Sequence, residues 1–597
     1  MRLTATRLSE RPVASRLRAL WPAPWYGRGV VDPVPVVGRV LGMASEGGAT
    51  PTSFWVGVAD GQFLQLDDVV VTERRVPGRT EPVTISGVVS QVRAVQEGAS
   101  WGSDVFLIAD GVLPAQEFEA AEVLTTRVDP EVYVPPLPGS AVRRATGAER
   151  DNALCFDKMV DRLPIGLGRD GEPLFANLEF VDGTRGAHIN ISGISGVATK
   201  TSYATFLLHS LFTSGVLLAE AANTKALIFN VKGEDLLFLD HPNSRLEPQQ
   251  RSLYAKLGLP AEPFASFAVF APPRPGDPNA GPHVASRATG VHSFYWTLAE
   301  FCTEELLPFV FADAEDERQQ YTMIVHHLTA KLHRDGAVSG SDGAWTIDGR
   351  TLRTYGDLVD VVVERVSDDH TRDEWAGRAT TLGTVNAFIR RLQASRKRLS
   401  PLIRADVRER ASHRIDTSGA QVTVVDLHSL HDRAQRFVVG VTIRHLFDEK
   451  ERTGSARPLT FLVLDELNKY APREGSSPIK EILLDVAERG RSLGVILIGA
   501  QQTASEVERR IISNAAIRVV GRLDAAEASR PEYGFLPEAQ RKRATIARPG
   551  TMFVNQPELP VPLVVEFPFP AWATRASEIG GAAAGSTPRP ADPFDGL

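Results

Sequence analysis

The sequence predicts an α/β protein with a largely parallel sheet, preceded by a small β-barrel and interrupted by a helical insertion. Three observations carry this expectation. In two blocks of chain, apolar strand-like runs alternate with helical periodicity, the pattern that builds a parallel sheet with helices on its faces. Ahead of them lies a stretch of short β-branched runs broken by Gly, Pro and Asp, the texture of a barrel or sandwich. Between the two blocks the strand-like runs stop. The 597 residues, 43% hydrophobic and 23% charged, leave room for several domains and exclude a mainly disordered chain.

Taken in order, residues 1–30 read as a loose basic arm. From 31 to 140 the runs VVGRVLGMA, SFWVGVA, DDVVVTER, VTISGVVSQVRAV and DVFLIADG read as barrel strands, and PEVYVPPLPG as a proline-stiffened linker. The first α/β block, 160–290, opens with the strand GAHINISGI and a Gly-containing turn. A helix follows in which Ala204, Leu207, Leu208 and Leu211 fall at i, i+3, i+4 and i+7, and then the buried strand KALIFNV. Residues 291–415 read as the helical insertion, with Tyr321, Ile324, Val325, Leu328 and Leu332 on one helix face. The second block, 416–575, holds QVTVVDLHSL, LTFLVLDEL, LGVILIGAQQ and AAIRVVGRLD. It ends in GTMFVNQPELPVPLVVEFPFP, read as edge strands broken by proline. Residues 576–597, rich in Ala, Gly, Pro and Ser, read as a disordered tail.

Composition narrows the function classes. A net charge of -7 announces no global basic field for nucleic acid, although a local basic lining is compatible with that total. Two cysteines, Cys155 and Cys302, exclude a disulfide scaffold and a four-cysteine zinc site, and fit a reducing compartment. His326 and His327 diverge on a helix and lack a third ligand at metal spacing, so no zinc is expected. No apolar run approaches the ~20 residues of a spanning helix. The N-terminus lacks the apolar core of a signal peptide. A cytoplasmic protein without an integral membrane segment is expected.

Two motifs carry chemistry. SGISGVATKTS lies between a strand and a helix, where backbone N–H groups and a helix N-terminus face phosphates. In it Gly193, Ser195, Gly196, Val197, Ala198, Thr199, Lys200, Thr201 and Ser202 are the candidate cradle. Lys200 would reach the β/γ oxygens of ATP and the Thr201 hydroxyl would hold Mg2+. The usual spacing G-x-x-x-x-G-K-S/T would put glycines at 194 and 199, where this chain has Ile194 and Thr199. A plain Gly-rich strand–helix turn accounts for the same glycines. A hydrolase nucleophile elbow does not, because G-x-S-x-G fails at Val197. The second motif is Asp465–Glu466, which closes the apolar run LTFLVLD. Acids at the carboxyl end of a buried parallel strand face the ligand crevice of the sheet. Asp465 would support Mg2+ and Glu466 would orient or deprotonate a water; a helix N-cap with a first-turn acid is the bland reading of the same pair. Gln501 and Gln502 follow the next apolar strand, where a glutamine senses a γ-phosphate or positions water in other phosphate-loop enzymes.

At these residues the chain resembles the HerA branch of the FtsK–HerA superfamily of hexameric DNA-translocating ATPases. LPIGLGRDGEPLFANL with AHINISGISG, LIFNVKGED, LDELNKYAP and ERGRSLGVILIGAQQTASEVERRIISNAAIRVVGRLD carry the likeness. Residues 31–140 resemble that family's N-terminal HAS-type barrel. The resemblance implies a RecA-like P-loop NTPase core, a homo-hexamer, ATP and Mg2+ as cofactors, and duplex DNA as cargo. A nuclease or other effector partner in DNA processing or phage defence is also implied. It implies that Lys200 and Thr201 bind nucleotide and metal, that Asp465 supports the metal, that Glu466 is the catalytic carboxylate and that Gln501 is the sensor. Arg491 matches an arginine that acts across the subunit boundary, and Arg489 is a second candidate. The chain departs from the family at Thr199, where glycine precedes the lysine, and at Asn230, where aspartate is usual. A coupling ATPase for conjugation or secretion, and a nucleotide-gated scaffold with little turnover, are the rival readings. The basic stretch with Arg390, Arg391, Arg396, Lys397 and Arg398 reads as a solvated helix face or as a DNA-facing one.

Overall fold

The computed structural model describes residues 35–42, 48–97, 103–113, 116–194, 200–312, 321–378, 380–408 and 413–580. The predicted basic arm (1–30) lies outside them. Six strands, β1 (Val36–Val40), β2 (Ser53–Val58), β3 (Val69–Arg74), β4 (Val83–Glu97), β5 (Gln116–Asp129) and β6 (Ala141–Arg144), close into a barrel in the order β1-β2-β5-β4-β3-β6. Every pair is antiparallel. Val37, Phe54, Val70, Ile85, Val123 and Val142 fill it. Two expectations are corrected here. DVFLIADG is not a strand: it lies in the connection between β4 and β5, which pair directly with each other, and forms a helix, Asp104–Ala109, with no buried residue. The strand that takes its place is β5, whose inward Ala121 and Val123 alternate with acids. The barrel also runs to Arg144, past the proline-rich linker, because β6 closes it between β1 and β3.

The core is one sheet of twelve strands. Its first half comprises β7 (Arg162–Leu167), β8 (Pro173–Asn177), β9 (Ile189–Ser192), β10 (Lys225–Asn230), β11 (Phe267–Ala271) and β12 (Val291–Ser293). A separate three-stranded sheet, β13 (Ala337–Ser339), β14 (Ala344–Ile347) and β15 (Arg350–Leu352), lies in the insertion. The main sheet resumes with β16 (Val422–Asp426), β17 (Thr460–Asp465), β18 (Val495–Gln501), β19 (Ile517–Val520), β20 (Thr551–Asn555) and β21 (Leu563–Glu566). The order is β12-β11-β16-β10-β17-β18-β9-β19-β20-β21-β7-β8. Pairing is parallel from β12 to β19 and antiparallel from β19 to β8.

Alternate side chains of the parallel strands serve two cores. Ile191, Ile228, Val463 and Ile498 pack toward the helix Lys200–Thr213. Phe229, Leu464 and Leu497 pack toward the helices Asp432–Thr453 and Pro478–Leu493 and toward the insertion. Burial on both faces is why these strands read as continuous apolar runs. Helix Lys200–Thr213 is buried on nearly every side from Tyr203 to Leu211, not amphipathic as its spacing predicts. The antiparallel strand β7 covers its outer side. There Tyr203 Oη donates to Ile165 O (3.0 Å) and Ser210 Oγ to Pro164 O (2.7 Å), so the polar groups of that face are satisfied by strand carbonyls.

Three further expectations change. β20 and β21 are interior strands, since their prolines fall in the connection and after β21; the edges are β12 and β8. Pro173 opens edge strand β8, a position that needs no ladder donor. The stretch 291–415 is not wholly helical, because β12 belongs to the main sheet and the β13–β15 sheet lies within it. The tail's first residues are ordered: Ser244 N donates to Glu578 O (2.8 Å), and Glu578 Oε2 accepts from Thr574 N (2.7 Å). Residues 581–597 lie outside the described ones. The barrel meets the core through Arg543, whose two Nη atoms each donate to Asp67 at 2.8 Å, while Val69 and Val88 pack into the core cluster. Among the described residues, no helix is long and apolar enough to cross a membrane.

Candidate functional site

Strands β9, β18 and β17 are consecutive, parallel and at the middle of the sheet, so Ser192, Gln501 and Asp465 end side by side. Crevices at the carboxyl ends of such strands are where α/β sheets take ligands. Helix Lys200–Thr213 starts there. Its first residue, Lys200, is 4% exposed, and burial pushes its ammonium down to about 8 against the pull of Asp465. Thr201 Oγ1 donates to Asp465 Oδ2 at 3.2 Å across 264 residues of sequence. The first turn of the helix and the acidic strand end are thereby one site. Ser195, Gly196, Val197, Ala198 and Thr199 lie outside the described residues. Gly193 is described: its N–H donates to Gln501 O (3.1 Å), and that of Ile194 donates to Arg522 O (2.7 Å).

Glu466 leaves the strand in the left-handed region, with φ 56 and ψ 45, where a non-glycine residue costs about 1–3 kcal/mol. Its own N–H donates to Asp465 Oδ1 at 2.8 Å, which ties the two acids into one turn. Its carboxylate meets Lys232 Nζ at 3.3 Å and Lys469 Nζ at 2.5 Å. Burial alone would raise its pKa; the Lys469 hydrogen bond and the Lys232 charge outweigh it and hold the group below the usual carboxylate range. Glu466 is therefore ionised at neutral pH, as an acceptor for a water proton must be. Lys232 is a residue that sequence reasoning passed over. It also donates to Asp465 Oδ2 at 3.1 Å. The visible signal was a lysine directly after the apolar strand KALIFNV, in the segment that ends over the same crevice.

Gln501 ends β18, with Ser192 of β9 on one side and the Asp465 strand on the other. It is fully buried, and its amide is engaged sideways with β9: Nε2 donates to Asn190 Oδ1 and to Ser192 Oγ, both at 2.8 Å, while Asn190 Nδ2 donates back to Oε1 at 3.3 Å. It clamps β9 to β18, the strand that lies between β9 and the acidic end of β17. Gln502 beside it is exposed. At Asn230 the neighbouring strand supplies an acid: Asp426, also fully buried, accepts from Asn230 Nδ2 at 2.9 Å and from His428 Nδ1 at 2.9 Å. Glu234 and Asp235 are committed elsewhere, Glu234 to the N–H groups of Ala285 and Ser286 (2.9 and 2.6 Å) and Asp235 to Arg575.

Arg491 stands at the other end of the sheet. It lies in the last turn of helix Pro478–Leu493, just before β18 begins, and its guanidinium donates to Gly183 O (2.8 Å) and Thr184 O (2.6 Å). The seven residues of β18 separate it from Gln501 by about 20 Å. Its guanidinium is thus remote from the candidate site of its own chain. Arg489 pairs with Glu451. In the basic stretch, Arg396 pairs with Asp360 (2.6 and 2.7 Å), Arg398 Nη1 lies 2.9 Å from His431 Nδ1 and Arg391 stacks over Tyr321 at 4.6 Å. Arg390 and Lys397 of the same stretch are exposed.

The donor set fits Mg2+. A threonine hydroxyl and a carboxylate are hard oxygen ligands, and such an ion is held by one or two carboxylates with phosphates and water, not by an all-protein cage. Among the described residues no group of three His, Cys, Asp or Glu forms such a cage.

No family model matches the chain, and no curated protein sequence matches it. Solved structures similar to it include VirB4 of Thermoanaerobacter pseudethanolicus, with 15% identity over 68% of this chain and 96% of that one at a TM-score of 0.41. The plasmid coupling protein TrwB in complex with the ATP analogue ADPNP matches at 12% identity over 65% and 87%, with a TM-score of 0.41. TrwB in complex with ADP and Mg2+ matches at 12% over 68% and 91%, with a TM-score of 0.40. Scores of this size leave the reading of the site to its own geometry.

Proposed function

We propose that the chain is an Mg2+-dependent ATP hydrolase of the FtsK–HerA type, working as a ring that moves duplex DNA. What supports the reading is the meeting of Thr201 with Asp465 at the carboxyl ends of β9 and β17, with buried Lys200 and ionised Glu466 beside them. Lys200 would neutralise phosphate oxygens, and Thr201 and Asp465 would hold the metal. Mg2+, when bound, supplies charge stabilisation on the phosphoryl oxygens. Glu466 would orient the attacking water and take its proton. Arg491, about 20 Å from its own site, would serve the neighbouring subunit's nucleotide in a ring of six. DNA gripped mainly at its phosphates would be moved with little sequence preference.

A coupling ATPase for conjugation or secretion is the second reading. The names of the similar structures, VirB4 and a plasmid coupling protein, side with it over the HerA-type one, and the same site would serve either cargo. A nuclease partner forms no part of the proposal.

The test is ATP hydrolysis by the purified chain with and without linear duplex DNA, beside Lys200→Ala and Glu466→Gln. Turnover that rises with DNA, disappears in Lys200→Ala and falls about 10²–10⁴-fold in Glu466→Gln with ATP binding kept is the expected result. DNA-independent turnover with recovery of the chain in a membrane complex would favour the second reading. Equal turnover in the wild type and Glu466→Gln would remove Glu466 from the chemistry.

A further inference from the structure

Lys232 follows β10 and reaches across to the end of β17. Its Nζ lies 3.1 Å from Asp465 Oδ2 and 3.3 Å from Glu466 Oε1, and Thr201 Oγ1 donates to that same Oδ2 at 3.2 Å. The carboxylate oxygen that would hold the metal and the carboxylate that would handle the water thus share one ammonium of the chain itself. A lysine head is a compact point charge. Placed between two carboxylates, it sits where a small cation would be held, and two cations there repel strongly.

The backbone around Lys232 is pinned, so the side chain is the part able to leave. On one side Asn230 Nδ2 donates to Gly233 O at 2.8 Å and to Asp426 Oδ1 at 2.9 Å. On the other, Glu234 holds the N–H groups of Ala285 and Ser286. The Lys232 side chain is 39% exposed and borders an open cleft with Glu234, Asp235, Ser286 and Arg575. Lys469 contacts the other oxygen of Glu466 and would keep that acid paired when Lys232 departs.

Resting on the reading of this site as a metal–nucleotide site, we propose that Lys232 is a gating residue. It is a built-in counter-ion that keeps free divalent metal off Asp465 and Glu466, so that metal enters together with nucleotide phosphates, whose negative charge draws the ammonium away. The site would then load the metal–nucleotide complex in preference to the metal alone.

The test uses Mn2+ alone, titrated into the full chain without nucleotide and followed by electron paramagnetic resonance of the free ion. Lys232→Met should bind Mn2+ about tenfold or more tightly than the wild type, and Lys232→Arg should stay with the wild type. Circular dichroism melting of each variant checks folding, and Mn2+ should raise the melting temperature of Lys232→Met alone. Adding Asp465→Asn to Lys232→Met should erase the gained site. Equal Mn2+ affinity in the wild type and Lys232→Met overturns the inference, as does a gained site that survives Asp465→Asn. ATP binding is measured on the same proteins. If Lys232→Met gains Mn2+ while neither protein binds ATP, Lys232 stands as the counter-ion that keeps metal off, while the nucleotide reading fails and joint loading with it. If both bind ATP with unchanged Mn2+ affinity, the reverse holds.

Discussion

His209 and His188 are two imidazoles kept neutral by the fold. His209 is fully buried, stacks on Trp572 at 4.9 Å, and has Nε2 3.0 Å from Glu262 O. His188 accepts the Leu497 N–H on Nδ1 at 2.9 Å. Burial pushes both down to about 4 from an ordinary 6.5. Between those values the unfolded chain binds more protons than the folded one, so stability rises with pH across that window and is lost as pH falls through it. The contribution is fully present above the unfolded value. Carboxylates such as Glu300, which burial alone would raise but its His413 hydrogen bond helps hold at about 2, lose their contribution only below their own unfolded value of 4.5. The range above 4.5 therefore isolates the histidines, among which His428, raised by its Asp426 hydrogen bond, contributes a slope of opposite sign. The melting temperature of the wild type should fall from pH 7 to pH 5, and His209→Phe, which keeps a ring beside Trp572, should flatten that slope. Identical slopes would show that His209 does not titrate there.

Gly494 joins helix Pro478–Leu493 to β18, with φ 70 and ψ 24, and a Cβ there would lie 1.9 Å from Ala456 O. Left-handed backbone without glycine, plus that collision with main chain, makes Gly494→Ala cost about 2 kcal/mol or more. A fall in the thermal unfolding midpoint measures it, and an unchanged midpoint would mean that the helix–strand joint relaxes freely. The elements around this joint were legible because KALIFNV, TFLVLD and VILIGAQ are buried on both faces and need no alternation. Elsewhere the same reading failed for physical reasons. DVFLIADG has strand-like composition but no strand to pair with, and β5 hides its inward residues among acids. The β14–β15 hairpin turns at Asp348 and Gly349, both with positive φ, a turn chemistry present in the sequence and overlooked in a stretch read as helical. At the candidate site, Lys200, Thr201, Asp465 and Glu466 announce themselves by local pattern. Lys232 shows locally only as a lysine after a buried strand, because what makes it matter is a carboxylate 233 residues farther along. The buried amide pair of Gln501 and Asn190 spans 311 residues and is equally invisible to local pattern.

At the scale of the whole molecule, the distance between Arg491 and its own site makes the proposed ring testable by mixing. Lys200→Ala and Arg491→Ala proteins, each inactive alone, should recover part of the ATP turnover when combined, because some interfaces then pair an intact Lys200 with an intact neighbouring Arg491. Failure of every mixing ratio to exceed the single variants would mean that Arg491 does not act across subunits. The order of the strands has a second consequence, in the time the chain takes to be made. The sheet neighbours of β9 are β18 and β19, which arrive about 300 residues after it. At the usual speed of synthesis, β9 and the apolar helix behind it wait roughly 15–60 s for the strands that bury them. During that interval the growing chain lacks the acidic end of the candidate site and leaves an apolar strand and helix uncovered. Its biogenesis should therefore depend on chaperones that hold nascent chains, and a chain that stops short of β18 should be a target for proteolysis.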